Sequence, residues 1–138
     1  MGVRTIAALG AGLLLMLTPV IVTAAPFEED LLIQINQYRV ENGLAPLGAS
    51  RNYDRLAAEH SQAMRQANQL SHDGFKQRFA RARATSCVEN VGWNHQTPLS
   101  QFNGWKESPG HNRNLLAAGL LRAGIGKTGP YVTFFACN

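Results

Sequence analysis

Cys87-Val-Glu-Asn-Val-Gly-Trp-Asn-His-Gln-Thr-Pro-Leu-Ser-Gln-Phe-Asn-Gly-Trp-Lys-Glu-Ser-Pro-Gly-His111 changes its periodicity twice, and those changes set the fold class. Val88 to Trp93 reads as a short strand. Pro98 to Glu107 reads as a helix, with Leu99, Phe102 and Trp105 on one side. Ser108 followed by Pro109 suits an N-cap and a first helical position, so a further turn of helix is expected there.

Working outward, Leu120 to Lys127, a Thr128-Gly129 turn and Tyr131 to Cys137 form a hairpin pattern whose last run is β-branched and aromatic. Toward the N-terminus, Phe27 to Asn42 predicts a helix. Glu28, Glu29 and Asp30 suit the positive end of its dipole, Leu31, Leu32, Ile35, Tyr38 and Arg39 keep helical spacing, and Gly43 stops it. Leu44-Ala-Pro46-Leu47 is an extended link. A second helix is expected from near Ser50 to about Gln69, with Tyr53, Leu56, Ala57, His60, Met64 and Ala67 as its apolar stripe. Helices and strands alternate without a βαβ repeat, which predicts an α+β domain with an antiparallel sheet between helices.

The chain has 138 residues, 13 basic and 9 acidic, for a formal charge of +4. Arg4 precedes an apolar run from Ile6 to Val20, and Val22-Thr23-Ala24 fits a cleavage site that leaves Ala25 as the mature start. The expectation is a signal peptide over residues 1–24 and one domain over 25–138. An uncleaved anchor is the alternative, since Thr5 to Phe27 is an uncharged stretch long enough to span a bilayer. Cleavage would leave about 114 residues with a charge near +3, enough for one core. No cysteine lies near the cut, so a lipid anchor is not expected. The modest basic excess, with no groove-reading motif beside it, gives no reason to expect a nucleic-acid partner.

Both cysteines, Cys87 and Cys137, lie in the part expected to be exported, where an even count favours a disulfide. Closing the intervening loop would contribute roughly 4 kcal/mol by chain entropy. A buried thiol pair or a metal-ligand role is the other reading. Phe75 to Arg83 is a short basic segment in which Lys76, Arg78, Arg81 and Arg83 surround Phe75 and Phe79. It reads as a solvated face, or as a contact for anionic lipid or cell-wall polymer.

His72, Glu89, Glu107 and His111 lie on short polar turns. Two acids and two imidazoles can make one polar cleft that holds a cation. Neutral imidazole binds zinc well, but catalytic zinc usually takes three protein ligands, so a weakly held, exchangeable cation is the expectation. Each of these residues can equally be a hydrogen-bonded structural group. His60 reads as a core histidine rather than a ligand, because it continues the helical stripe. His95 reads as an ordinary loop residue. Trp93 could shape a pocket, Trp105 reads as packing, and Asn90 and Asn114 are expected to hold turns.

The whole set of short motifs, in order, resembles the CAP superfamily of cysteine-rich secretory proteins, venom antigens and plant pathogenesis-related proteins (SCP domain), most closely its compact bacterial secreted branch. The motifs are Ile35-Asn-Gln-Tyr38-Arg39, Asn42-Gly43-Leu44, Pro46-Leu47, Leu56-Ala57-Ala-Glu-His60-Ser61, Met64, Ser71-His72, Gly74-Phe75, Cys87-Val-Glu89-Asn90-Val91, Trp105, Ser108-Pro-Gly-His111, Asn114-Leu115-Leu116 and the closing Phe-Ala-Cys-Asn. The resemblance implies an α-β-α sandwich and a cleft of His72, Glu89, Glu107 and His111. It further implies that the two histidines hold a divalent metal, often zinc, and that the glutamates orient water or the imidazoles.

The run after His111 departs from the larger eukaryotic members, and no second cysteine cluster follows the domain. Channel-directed and toxin-like roles tied to that cluster are therefore not expected. The expected protein is a secreted or periplasmic monomer, without stable membrane insertion once the signal is removed. It would bind an extracellular ligand (a lipid, a peptide or a cell-wall component). A metal-dependent hydrolase using Glu89 or Glu107, with peptide bonds as one substrate class, and a lipid or sterol carrier are the other two classes.

Overall fold

The computed structural model describes residues 26–138 together with Gly2. The expected signal peptide over 1–24 lies outside the described residues. Five helices and four strands follow in the order α1 (Phe27–Glu41), β1 (Gly48–Ala49), α2 (Arg51–Ala67), α3 (Phe75–Ala82), β2 (Cys87–Trp93), α4 (Pro98–Glu107), α5 (Pro109–Leu115), β3 (Arg122–Thr128) and β4 (Tyr131–Cys137). The sheet order is β1-β3-β4-β2. β3 and β4 form the predicted hairpin, and β2 also runs antiparallel to β4, whereas the two-residue β1 adds in parallel to β3. The Leu44–Leu47 link carried no strand signal. β1 is held from outside, because the Asn36 amide donates to Leu47 O and accepts from Leu47 N at 2.9 and 2.7 Å.

Alternation along the strands divides the interior into two layers. Ala123, Ile125, Val132, Phe134 and Ala136 face α1, α4 and α5, where Leu31, Ile35, Phe102, Trp105 and Leu115 complete the larger core. Phe135 and Cys137 face the opposite way, against Tyr53, Leu56 and Ala57 of α2. Helix α2 lies close on that face because Gly124 and Gly126 leave room. A Cβ added at Gly124 would overlap the backbone of Tyr53 and Asp54, and one at Gly126 would overlap that of Ala57 and Ala58. The α2 stripe is buried from Tyr53 through Met64, while Ala67, in its last position, is exposed. The result is an α+β sandwich with helices on both faces.

Several polar groups tie the layers. Ser50 caps α2 by accepting from Tyr53 N. Thr97 and Ser100 form a reciprocal capping box on α4. Ser108 precedes α5 as expected but makes no side-chain cap. Arg39 is almost fully buried, and its guanidinium donates to the carbonyls of Ala45, Leu115 and Ala117 at 2.8–3.0 Å. Its pKa is lowered by burial. Cys87 and Cys137 stand directly opposite across β2 and β4 and form the expected disulfide. The bridge fastens the strand that carries Glu89 to the central strand β4.

Candidate functional site

Strand β2 is an edge strand, and alternation sends its residues to both faces. Cys87, Glu89 and Val91 point toward α2 and α3, and Asn90 and Gly92 toward α4 and α5. Edge strands leave carbonyls unpaired. Here Glu89 O accepts from Asn114 Nδ2 at 3.1 Å, and Val91 O accepts from Trp105 Nε1 at 2.9 Å. Trp105 is thus the packing residue its spacing predicted, with one polar task in addition. Trp93 lies at the end of the strand and is half exposed, beside Asn68, Leu70 and Tyr131.

Glu89 is buried, and its carboxylate is fully engaged. Arg78 forks onto it, Nε to Oε2 at 2.7 Å and Nη2 to Oε1 at 2.8 Å. His72 Nδ1 donates to Oε1 at 3.0 Å. Burial alone would raise the pKa of this carboxyl. The hydrogen bond from His72 and the guanidinium of Arg78 outweigh that effect and hold it below the ordinary carboxylate range. An ionised carboxylate only accepts, so His72 carries a hydrogen on Nδ1, and Nε2 is the nitrogen left for a lone pair whenever the ring is neutral.

His72 stands on the loop between α2 and α3, where Gly74, at φ +76°, makes the sharp turn into α3. Its side chain remains half exposed, so Nε2 is accessible. His60 is buried in the α2 stripe, as expected, but it is more than packing. Its Nε2 meets Ser71 O at 2.8 Å and lies 3.8 Å from Glu89 Oε1. Burial lowers its pKa despite the carbonyl, so it is neutral at neutral pH.

On the other side of β2, α5 carries His111, half buried. Burial, and then the nearby His72, lower the pKa of His111 and favour its neutral, ligand-competent form. Asn90 Nδ2 donates to His111 O at 3.1 Å, and Asn114 Nδ2 donates to Asn90 Oδ1 at 2.8 Å. These two asparagines stitch β2 to α5 rather than hold local turns. Tyr38 donates to Asn112 Oδ1 at 3.1 Å and ties α5 to α1. Glu107, the last residue of α4, is exposed and makes no side-chain hydrogen bond or ion pair among the described residues. A cleft of about 280 Å³ opens beside the strand, lined by His72, Phe75, Cys87, Val88, Glu89 and Asn114.

Arg78 corrects the reading of the Phe75–Arg83 segment as a solvated face. The segment is a helix, and Arg78 is buried within it. The signal was in the sequence, since Phe75, Arg78, Phe79 and Ala82 follow i, i+3, i+4, i+7 spacing and share one face. Arg81 does remain at the surface, paired with Glu59 at 2.7 Å. His95 stays on the loop after β2, with its ring against Gly104.

The donors suit a cation only in part. His72 Nε2 is accessible and His111 is neutral, whereas both oxygens of Glu89 are occupied by protein donors. Among the described residues no three His, Cys, Asp or Glu side chains gather as a ligand group. Two imidazoles would leave the remaining coordination positions to water or to a ligand.

Residues 32–138 match the family described as Cysteine-rich secretory protein family, CAP. The chain is 28% identical over 113 residues to the uncharacterized membrane protein YlbC of Bacillus subtilis (strain 168), covering 77% of this chain and 33% of that protein. It therefore spans about a third of that relative's length. Among solved structures it resembles an extracellular SCP-domain protein of Bacillus anthracis (TM-score 0.76, 24% identity, 80% of this chain and 40% of that one). It also resembles an outer surface protein of Borrelia burgdorferi (TM-score 0.68, 18% identity, 81% and 92%). Among the described residues no helix is long and apolar enough to cross a membrane. The match covers every element from α2 to β4 and most of α1, and the chain belongs to the cysteine-rich secretory protein (CAP) family.

Proposed function

We propose that this domain works outside the cytoplasm as a binding module, whose His72/His111 cleft takes a divalent cation that an extracellular ligand helps to coordinate. The observation that carries this reading is the contact of His72 Nδ1 with Glu89. A carboxylate on one imidazole nitrogen fixes the tautomer, raises the basicity of the other nitrogen and aims it at the metal. Zinc suits imidazole donors best, and a two-histidine set favours weak, exchangeable binding. The bound cation would supply Lewis acidity. His72 and His111 would hold it, and Glu89 would orient His72. The extracytoplasmic setting is supported by the likeness to an extracellular protein of B. anthracis and an outer surface protein of B. burgdorferi, and by the disulfide.

Binding is better supported than hydrolysis. A general base needs a free lone pair and a pKa near the working pH. Glu89 suits that role poorly, since Arg78 and His72 place three hydrogen bonds on its two oxygens and hold its pKa down. A groove of about 660 Å³ between α1, α2 and β3 gives a sterol-carrier role mixed support, because Leu32, Ala49, Ala58 and Ile125 share its lining with Glu28, Glu29, Asp54, Arg55 and Lys127.

The test is calorimetric titration of Zn²⁺ into the metal-free protein and into a His72→Ala/His111→Ala double variant. One-site binding lost in a folded double variant supports the reading. Equal binding by both proteins, or none by either, removes it. Candidate lipids, peptides and cell-wall fragments would then be titrated with and without the metal.

A further inference from the structure

We propose that His60 and Arg78 are positioning residues for His72, gripping the two peptide carbonyls on either side of it while Glu89 grips its ring. His72 sits on a loop and half its side chain faces solvent, a setting that ordinarily leaves a residue mobile. Its neighbours remove that freedom. Ser71 O accepts from His60 Nε2 at 2.8 Å, and Asp73 O accepts from Arg78 Nη1 at 2.8 Å. The ring is tied to Glu89, and Glu89 is fixed by the other two nitrogens of the same guanidinium. Arg78 therefore acts on His72 twice, through the backbone and through the carboxylate.

Both donors are buried, His60 at 4% and Arg78 at 7% exposure, so water competes little for these bonds. The geometry also settles the role of His60. A carbonyl only accepts, so His60 carries its hydrogen on Nε2, the nitrogen nearest Glu89. On that side it is a donor to the loop, not a ligand. The grips come from three successive elements, with His60 on α2, Arg78 on α3 and Glu89 on β2. An imidazole on the lining of the cleft is thus held in one orientation, which reduces the ordering that ligand binding would otherwise require.

The consequence for metal affinity rests on the cation reading above; the consequence for the imidazole does not. The experiment records the histidine imidazole nitrogens by NMR at neutral pH, and titrates Zn²⁺, in the wild type and in Arg78→Lys, His60→Leu and His60→Gln. Lysine keeps the charge opposite Glu89 but loses the fork, and glutamine can still donate to Ser71 O. In Arg78→Lys and His60→Leu, the single Nδ1–H form of His72 is expected to give way to an average of tautomers. Zinc binding should weaken about 10- to 100-fold in both. His60→Gln should restore both properties. Folded Arg78→Lys and His60→Leu proteins with the wild-type tautomer and wild-type affinity would overturn the proposal. If Arg78→Lys does not fold, the two His60 variants decide it. If the wild type binds no zinc, the cation reading fails, while the imidazole spectra still decide whether the clamp exists.

Discussion

The two faces of β2 hold His72 and His111 with different chemistry. On the α2/α3 side a buried guanidinium, a buried carboxylate and a buried imidazole converge on the His72 loop. On the α5 side neutral amides do the work, with Asn90 on His111 O and Asn114 on Glu89 O and Asn90 Oδ1. The difference follows from the edge strand between them. Glu89 points its carboxylate into the α2/α3 layer, and a buried carboxylate requires a cation. Asn90 points to the other layer, where an amide can satisfy both a carbonyl and a second amide without charge. Sensitivity to mutation should therefore concentrate on the His72 side.

The sharpest break is Glu89→Ala. It leaves Arg78 buried without its partner and should lower stability by about 3–5 kcal/mol, read by chemical denaturation. A loss under about 1 kcal/mol, the range of a surface pair, would show that Arg78 is not buried as described. Next comes the disulfide, which fastens the shared strand rather than either side. The Cys87→Ala/Cys137→Ala variant should lose about 2–4 kcal/mol, with a lower denaturation midpoint. On the amide side, Asn114→Ala frees Glu89 O and Asn90 Oδ1 from their shared donor and should cost about 1–3 kcal/mol. A loss equal to that of Glu89→Ala would erase the contrast between the two sides.

Acid should act on both sides first and on the Glu89 side alone at lower pH. Burial lowers the pKa of His60 and His111, so the unfolded chain takes up protons before the folded one does. Their stability contribution is present above the ordinary histidine value of 6.5 and declines as pH falls from there toward the lowered folded values. The Glu89 pKa is also lowered, so its contribution is present above 4.5 and is lost as pH falls through the folded value. Denaturation midpoints against pH should fall in two stages, and His60→Gln should shrink the first. A midpoint unchanged between pH 7 and pH 5 would contradict the burial of both histidines. The smallest expected effect is that of His72→Ala. His72 is half exposed, so its removal should change stability by less than about 1 kcal/mol while affecting the cleft most directly.

Much of the architecture was legible in the chain because it rests on local periodicity. The α1 stripe ending at Gly43, the α2 start near Ser50, the α4 start at Pro98 and the Thr128-Gly129 turn each carry their own signal within a few residues. Two elements were less legible. β1 is too short to show a pattern and exists because Asn36, on α1, holds Leu47 beside it. Helix α3 was obscured by charge, since four basic residues between Lys76 and Arg83 suggest a solvated face unless their spacing is weighed against Phe75 and Phe79.

The same division holds at the site. His72, Glu89, Glu107 and His111 were chosen as chemistry-bearing residues on motif-like turns, and the Cys87–Cys137 pairing followed from an even count and compartment. The sequence alone therefore determined most element types, the expectation of a cysteine bridge and the shortlist of polar residues, because each depends on neighbours in the chain or on composition. Only the tertiary structure decided which groups hold which. It placed Arg78 and His60 around Glu89 and His72, left Glu107 at the surface and set Asn90 and Asn114 across β2. Those pairings join residues on separate elements, where burial and partner charge, not spacing, fix a polar side chain's role.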